Sequence, residues 1–220
     1  MEPLHLSNPP ARPKIYHITH MENLRRILVD GALYSHANMN NRGGPQADIG
    51  MSKIKKRRLA SPVKCHPNTA VGQYVPFNFC PRSVMLYVIH RADHPELNYR
   101  GGQEPIIHLE CDLHNTIAWA EKHSVIWAYS LRNASTAYVE FDSTLEGLGG
   151  INWDAVNSND FKDSDILESK QAEFLIYERF PWSLVERVGA QNVRTKASVD
   201  RQIASVSHRQ RWFRKSVQRG

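Results

Sequence analysis

Residues 170–177, reading KQAEFLIY, place one carboxylate, Glu173, inside a run that is otherwise apolar and strand-like. Side chains alternate across a strand, so Ala172, Phe174 and Ile176 take one face and Glu173, Leu175 and Tyr177 the other. A carboxylate among such neighbours is costly to bury unless it has a partner or a ligand. An edge-strand Glu in contact with water is the bland alternative. The remaining sequence shows which of the two applies.

The chain has 220 residues, enough for one large domain that folds without staples. Cys65, Cys80 and Cys111 are odd in number and widely spaced, with no Cys-x-x-Cys pair. Neither a disulfide framework nor a zinc site is expected, no metal is called for, and a reducing cytoplasm fits this cysteine usage. No run of eighteen apolar residues suggests a membrane span, and the proline-bearing start lacks the apolar centre of a signal peptide. Residues 1–14, with Pro3, Pro9, Pro10 and Pro13, are expected to form an extended arm before a single domain spanning 15–220.

Charge points to a polyanionic partner more by its distribution than by its sum. The net charge is +6, which supports solubility as readily as nucleic-acid binding. Residues 51–66, however, hold Lys53, Lys55, Lys56, Arg57, Arg58 and Lys64 with no acid, and residues 187–220 hold nine Lys or Arg against Asp200 alone. Two separated basic regions suit an extended anion, although a solvated helix face and a basic tail give the same composition.

Residues 15–18 read as a strand, and Thr19 with Glu22 forms a capping-box pattern. Leu24, Ile27 and Leu28 then give the apolar stripe of a helix that ends at Gly31. Residues 38–48, rich in Asn and Gly, are expected to form a loop able to close over a ligand, followed by a helix through 54–59. The apolar runs 84–89 and 106–111 read as central strands, 114–123 as a helix and 125–130 as a strand. Residues 133–141 are open between helix and strand, 147–168 are expected to be irregular, and 172–177, 184–188 and 192–195 read as strands. The class implied is α+β.

Taken with IYHITH at 15–20, IKKRRL at 54–59, YVPFNFCPRS at 74–83 and GGQEPI at 101–106, the Glu173 segment makes the chain resemble the DarT family. These are DNA ADP-ribosyltransferase toxins, distant relatives of the poly(ADP-ribose) polymerases. The resemblance spans about residues 15–182. It implies an ADP-ribosyltransferase fold, a split mixed sheet with short helices around a cleft for NAD. It also implies transfer of ADP-ribose to thymine bases of single-stranded DNA, sequence-specifically, with a macrodomain hydrolase as antitoxin. Transfer to guanine or RNA, and a non-catalytic single-strand-binding module, are the alternatives.

The resemblance also assigns residues. His17, Ile18 and Thr19 correspond to the segment that holds nicotinamide. His17 and Thr19 share one face of the strand and offer a donor and acceptor set suited to an amide and a ribose. Arg26 and Tyr34 border the same pocket. Glu173 corresponds to the catalytic glutamate. Arg58 matches the family's active-site arginine, which contacts NAD and has been given a part in deprotonating the base. With a pKa above about 12, a guanidinium is better suited to an electrostatic role than to a base's. Lys53 and Lys55 are expected on DNA phosphates, and Trp153, Phe161, Asn157 and Asn159 on bases. Tyr74, Phe77, Phe79, Arg82 and Met85 are candidates for a floor beneath the base, with core packing equally open to the phenylalanines.

Overall fold

The computed structural model describes residues 8–217, with side chains as far as Val206. The strands are β1 (Lys14–His20), β2 (Ala32–Tyr34), β3 (Tyr74–Asn78), β4 (Ile106–Asp112), β5 (Trp127–Asn133), β6 (Phe141–Asp142), β7 (Ala172–Tyr177), β8 (Arg179–Pro181) and β9 (Arg187–Ala190). The helices are α1 (Met21–Asp30), α2 (His36–Asn41), α3 (Ser52–Ala60), α4 (Val84–Arg91), α5 (Leu113–Lys122), α6 (Trp153–Asn157), α7 (Ser164–Ser169) and α8 (Val193–Val217). Seven strands form one sheet in the order β6-β5-β7-β3-β1-β4-β9, while β2 and β8 pair separately.

The α+β class stands, but the expectation of a mixed sheet does not. Every pairing among the described strands is antiparallel. The split is present between β1 and β3, which are registered only at Tyr16 and Asn78, whereas β1 and β4 pair along seven residues. The sheet therefore consists of β1, β4 and β9 on one side and β3, β7, β5 and β6 on the other, parted along most of the seam.

Alternation builds two faces. Ile15, Ile107, Leu109, Cys111, Phe77, Phe174 and Ile176 point to the main core, where Leu24 and Leu28 of α1 and Val199 of α8 pack on them. The other face carries a smaller cluster of Val63, Val71, Tyr74, Ala128 and Leu175.

Several segments take a form other than the expected one. Residues 84–89 lie in α4: Ser83 Oγ accepts from the Leu86 amide at 3.2 Å, and only Ile89 is buried. A short apolar run cannot be assigned by periodicity alone, and here the serine cap decides for helix. Residues 192–195 open α8, since Asn192 Oδ1 accepts from the Thr195 amide at 2.8 Å. At α1 the cap is His20, whose Nδ1 accepts from the Glu22 amide at 3.2 Å, rather than Thr19. The start of the expected 38–48 loop lies in α2, capped by Ser35. Residues 147–168 include α6 and α7, and the acidic run there caps and turns the backbone, with Asp163 accepting from the amides of Asp165 and Ile166. Of residues 133–141, the first ends β5 and the last opens β6, and 134–140 form the turn between them. Residues 1–7 of the arm and the side chains of the basic tail beyond 206 lie outside the described residues.

Candidate active site

Glu173 sits second in β7, flanked in register by Asn78 of β3 and Ser130 of β5. Beside it the β5–β7 register shifts between Ser130 and Asn133, and the Ser130 hydroxyl accepts from the Glu173 amide at 3.2 Å while donating to the Arg132 carbonyl at 2.6 Å. A bulge at this point re-aims the strand next to the carboxylate. Arg58, from the last turn of α3, meets Glu173 in a two-bond fork, Nη1 to Oε1 and Nη2 to Oε2, both 2.8 Å. Their side chains are 15% and 12% exposed, so the pair is mostly removed from water yet open on one side. The partner that the isolated carboxylate required is thus Arg58.

His17, Thr19, Arg26 and Tyr34 line one cavity of about 120 Å³, together with Asn23 and Met39. His17 Nδ1 lies 2.8 Å from the Pro76 carbonyl, which can only accept, so this nitrogen carries the proton and Nε2 is left as an acceptor. Burial pushes the His17 pKa below the ordinary histidine value and outweighs the opposing pull of that carbonyl, which keeps the ring neutral. Its ring centroid lies 5.7 Å from that of Phe77, the two rings tilted by 60°. Ile18 points to the other face and contributes backbone only, as alternation requires.

The cavity is smaller than the roughly 300–1,000 Å³ of pockets that enclose a drug-sized ligand, and one heteroaromatic ring is what it can take. Above it, the 42–50 loop is held down by α1. Arg26 donates to the carbonyls of Gly44 and Arg42 at 2.7 and 2.6 Å. Asn23 bonds Ala47 twice, at 2.8 and 3.0 Å, and also donates to the Thr19 hydroxyl at 3.1 Å. Gly43 and Gly44 both have φ near +80°, where glycine is favoured, so the turn over the cavity depends on them. In this state Arg26 serves as a loop anchor. Asn23 lacks a motif of its own; its spacing of four from Thr19 is the signal that links them.

The proposed nucleic-acid residues fare unevenly. Lys53 pairs with Glu96 at 2.8 Å and Lys55 with Asp48, so α3 is less bare in charge than its sequence. Asn157 is exposed at the end of α6. Trp153 is 3% exposed, donates its ring N–H to the Leu148 carbonyl at 2.9 Å and packs edge-on against Phe79. It is a core residue, and its buried ring is closed to the base stacking expected of it. Tyr74, Phe77 and Phe79 are likewise buried, as core packing requires. Arg82 donates to Asn159 at 2.5 Å, and Phe161 stacks on Tyr87 with centroids 4.7 Å apart.

Lys170, three residues ahead of Glu173, is 2% exposed. Its ammonium donates to the carbonyls of Val156, Ser158 and Ala155 at 2.6, 2.8 and 3.4 Å. These carbonyls lie at the C-terminal end of α6, where the helix dipole favours a cation, so a buried ammonium ties the loop before β7 to that strand. Among the described residues no cluster of His, Cys, Asp or Glu could hold a metal. No described helix is long and apolar enough to cross a membrane.

Known proteins resemble this chain over most of its length. A curated DNA ADP-ribosyl transferase from Thermus sp. (strain 2.9) is 36% identical over 191 residues, covering 86% of this chain and 87% of the relative. The solved structure of Thermus sp. 2.9 DarT in complex with ADP-ribosylated ssDNA superposes with a TM-score of 0.82 at 33% identity, covering 92% of both chains. The same protein in complex with NAD+ gives 0.77 at 31% identity, covering 91% of this chain and 92% of that one. Residues 16–216 match the family model described as ssDNA thymidine ADP-ribosyltransferase, DarT, and the chain belongs to that family.

Proposed function

We propose that Glu173 and Arg58 form the reacting centre, and that the cavity lined by His17, Thr19, Arg26 and Tyr34 receives one end of NAD. The enzyme is an NAD-dependent DNA ADP-ribosyltransferase. The carrying observation is the forked Arg58–Glu173 pair, which orients a carboxylate on a central strand in a mostly buried site.

The chemistry follows from that charge. As the bond between nicotinamide and ribose breaks, its electron pair leaves with nicotinamide and positive charge grows on the anomeric carbon. A fixed carboxylate stabilises that charge without reorganisation. The lone pair of a thymine ring nitrogen then forms the new glycosidic bond from the opposite face, and the nitrogen's proton is lost. This is glycosyl rather than nucleotidyl transfer. Arg58 keeps Glu173 in place and offers positive charge where the attacking ring becomes anionic. His17 presents Nε2 as an acceptor to the carboxamide, and Thr19 and the backbone at Ile18 complete the donor and acceptor set.

Cavity size agrees with the 42–50 loop lifting as the full dinucleotide enters. Lys53, Lys55 and Asn157 are assigned to the DNA path. Ion pairing at the two lysines makes their contribution a partial exchange of carboxylate for phosphate. A role as a toxin checked by a macrodomain antitoxin, sequence-specific action and a cytoplasmic location belong to the same reading. Likeness to DarT supports the first two, and three free cysteines support the last. Incubation with labelled NAD and homopolymer oligonucleotides, single-stranded and duplex, tests the whole: label should appear on single-stranded thymidine oligomers. Label on guanine, RNA or protein in preference would refute the acceptor, and no release of nicotinamide would refute the chemistry.

A further inference from the structure

A second cavity, about 270 Å³, lies on the face of β1 opposite His17 and takes no part in the cofactor pocket. Its floor is cross-strand: Tyr16 stands opposite Glu110, and Glu110 opposite Arg187, while His108 stands opposite Gly189. Leu86 of α4 and Gln103, just before β4, close one side.

Polar groups here are partly committed and partly spare. Arg187 donates to Glu110 at 2.5 Å and, with a side chain 71% exposed, marks the rim. His108 Nε2 donates to the Pro81 carbonyl at 2.9 Å, and burial pushes the ring's pKa down, so the neutral ring presents Nδ1 as an acceptor. The Gln103 amide donates to the Leu86 carbonyl at 2.9 Å, which leaves its oxygen to accept. Acceptors beside a phenol, an aliphatic wall and a rim guanidinium suit a flat heteroaromatic ring with hydrogen-bonding edges. The volume again favours one ring system.

Position then identifies the ring. Tyr16 is registered with Asn78, and Asn78 with Glu173, so cavity and catalytic carboxylate share a face two strand spacings apart, about 10 Å. With roughly 3.4 Å per stacked nucleotide, that is two or three nucleotides along a strand. We propose that this cavity reads one unpaired base of the acceptor DNA, two or three nucleotides from the modified thymidine. The proposal rests on the single-stranded DNA reading above.

Gly189 supplies the test. A Cβ built there meets only the His108 side chain, at 3.5 Å, which is ordinary contact, so alanine fits and a longer side chain at this position enters the cavity. Parent, Gly189→Ala, Gly189→Leu and Gln103→Ala are each given labelled NAD and a single-stranded library with one fixed thymidine and random neighbours, and the modified products are sequenced. Parent and Gly189→Ala should show a base preference at one position two or three nucleotides from the thymidine. Gly189→Leu should flatten it to within about twofold of random, and Gln103→Ala should change which base is preferred. On an oligonucleotide that is abasic at that position, parent and Gly189→Leu should react alike. Parent-like preference at every position in folded Gly189→Leu, or in Gln103→Ala should Gly189→Leu not fold, overturns the proposal, as does a parent without such preference. A parent that modifies no thymidine at all condemns instead the reading on which the proposal rests.

Discussion

Separating Arg58 from Glu173 should cost stability as well as activity, and the two losses can be told apart. Removing one member of a buried ion pair costs about 3–5 kcal/mol when burial is complete. These side chains keep 15% and 12% of their exposure, so about 2–3 kcal/mol is expected for Arg58→Ala. In a chain of 220 residues that corresponds to a melting temperature about 4–12 °C lower. Glu173→Ala should cost a similar amount by stranding the guanidinium. The double variant, with no charge left unpaired, should fall short of the sum by about 1–2 kcal/mol. Denaturant melts of the four proteins give this cycle, and transfer to a thymidine oligomer gives activity, which should drop about 10²-fold or more in Glu173→Ala through the loss of transition-state stabilisation. Additivity of the two stability changes within about 0.5 kcal/mol would show that the fork contributes nothing, and the account of why Glu173 tolerates its site would fail.

Trp153→Ala should behave as a core deletion, losing about 3–5 kcal/mol in a denaturant melt with the neighbour-base profile of the remaining active protein unchanged. Lys170→Met should strip the carbonyls at the end of α6 of their ammonium donor, lower transfer while NAD affinity by calorimetry stays near parent, and raise proteolytic nicking in 150–168; parent-like nicking and transfer would refute its role as a tie. His17 and His108 have folded pKa values below the unfolded value of 6.5, so below about pH 6.5 the unfolded chain binds more protons. Stability should therefore fall as pH drops through that range, and replacing His108 by Leu should weaken this acid dependence in thermal melts. Binding to single-stranded DNA should weaken with salt at about −0.7 per neutralised phosphate on a log scale, and Lys53→Ala with Lys55→Ala should flatten that slope less than two full charges, because both lysines exchange a carboxylate for the phosphate.

Much of the site is legible in the sequence where local pattern controls it. Alternation alone places Glu173 opposite Phe174, sets His17 and Thr19 on one face, and marks the stripe of α1. What the sequence does not disclose depends on register between distant strands. The Arg58–Glu173 fork joins residues 115 apart, and no window along the chain contains both. Trp153 reads as an exposed aromatic in a polar, glycine-bearing loop, and only the Leu148 carbonyl and the Phe79 edge that receive it show that it is core. Lys170 looks like a surface lysine until α6 folds back over it. The α4 segment has apolar content suited to either helix or strand, and Ser83 settles it by capping.

The seam between β1 and β3 has a kinetic consequence. The strands meet across that seam only at Tyr16 and Asn78, so on the mechanism proposed above one NAD molecule reaches across the parted seam, with nicotinamide in the His17 cavity and its ribose carbon at Glu173. On that mechanism nicotinamide leaves through the His17 cavity and the modified base from beside Glu173, so nicotinamide need not wait for the DNA. Steady-state inhibition should carry that signature: nicotinamide competing with NAD but not with oligonucleotide, and modified oligonucleotide, whose ADP-ribosyl group fills the NAD site, competing with both.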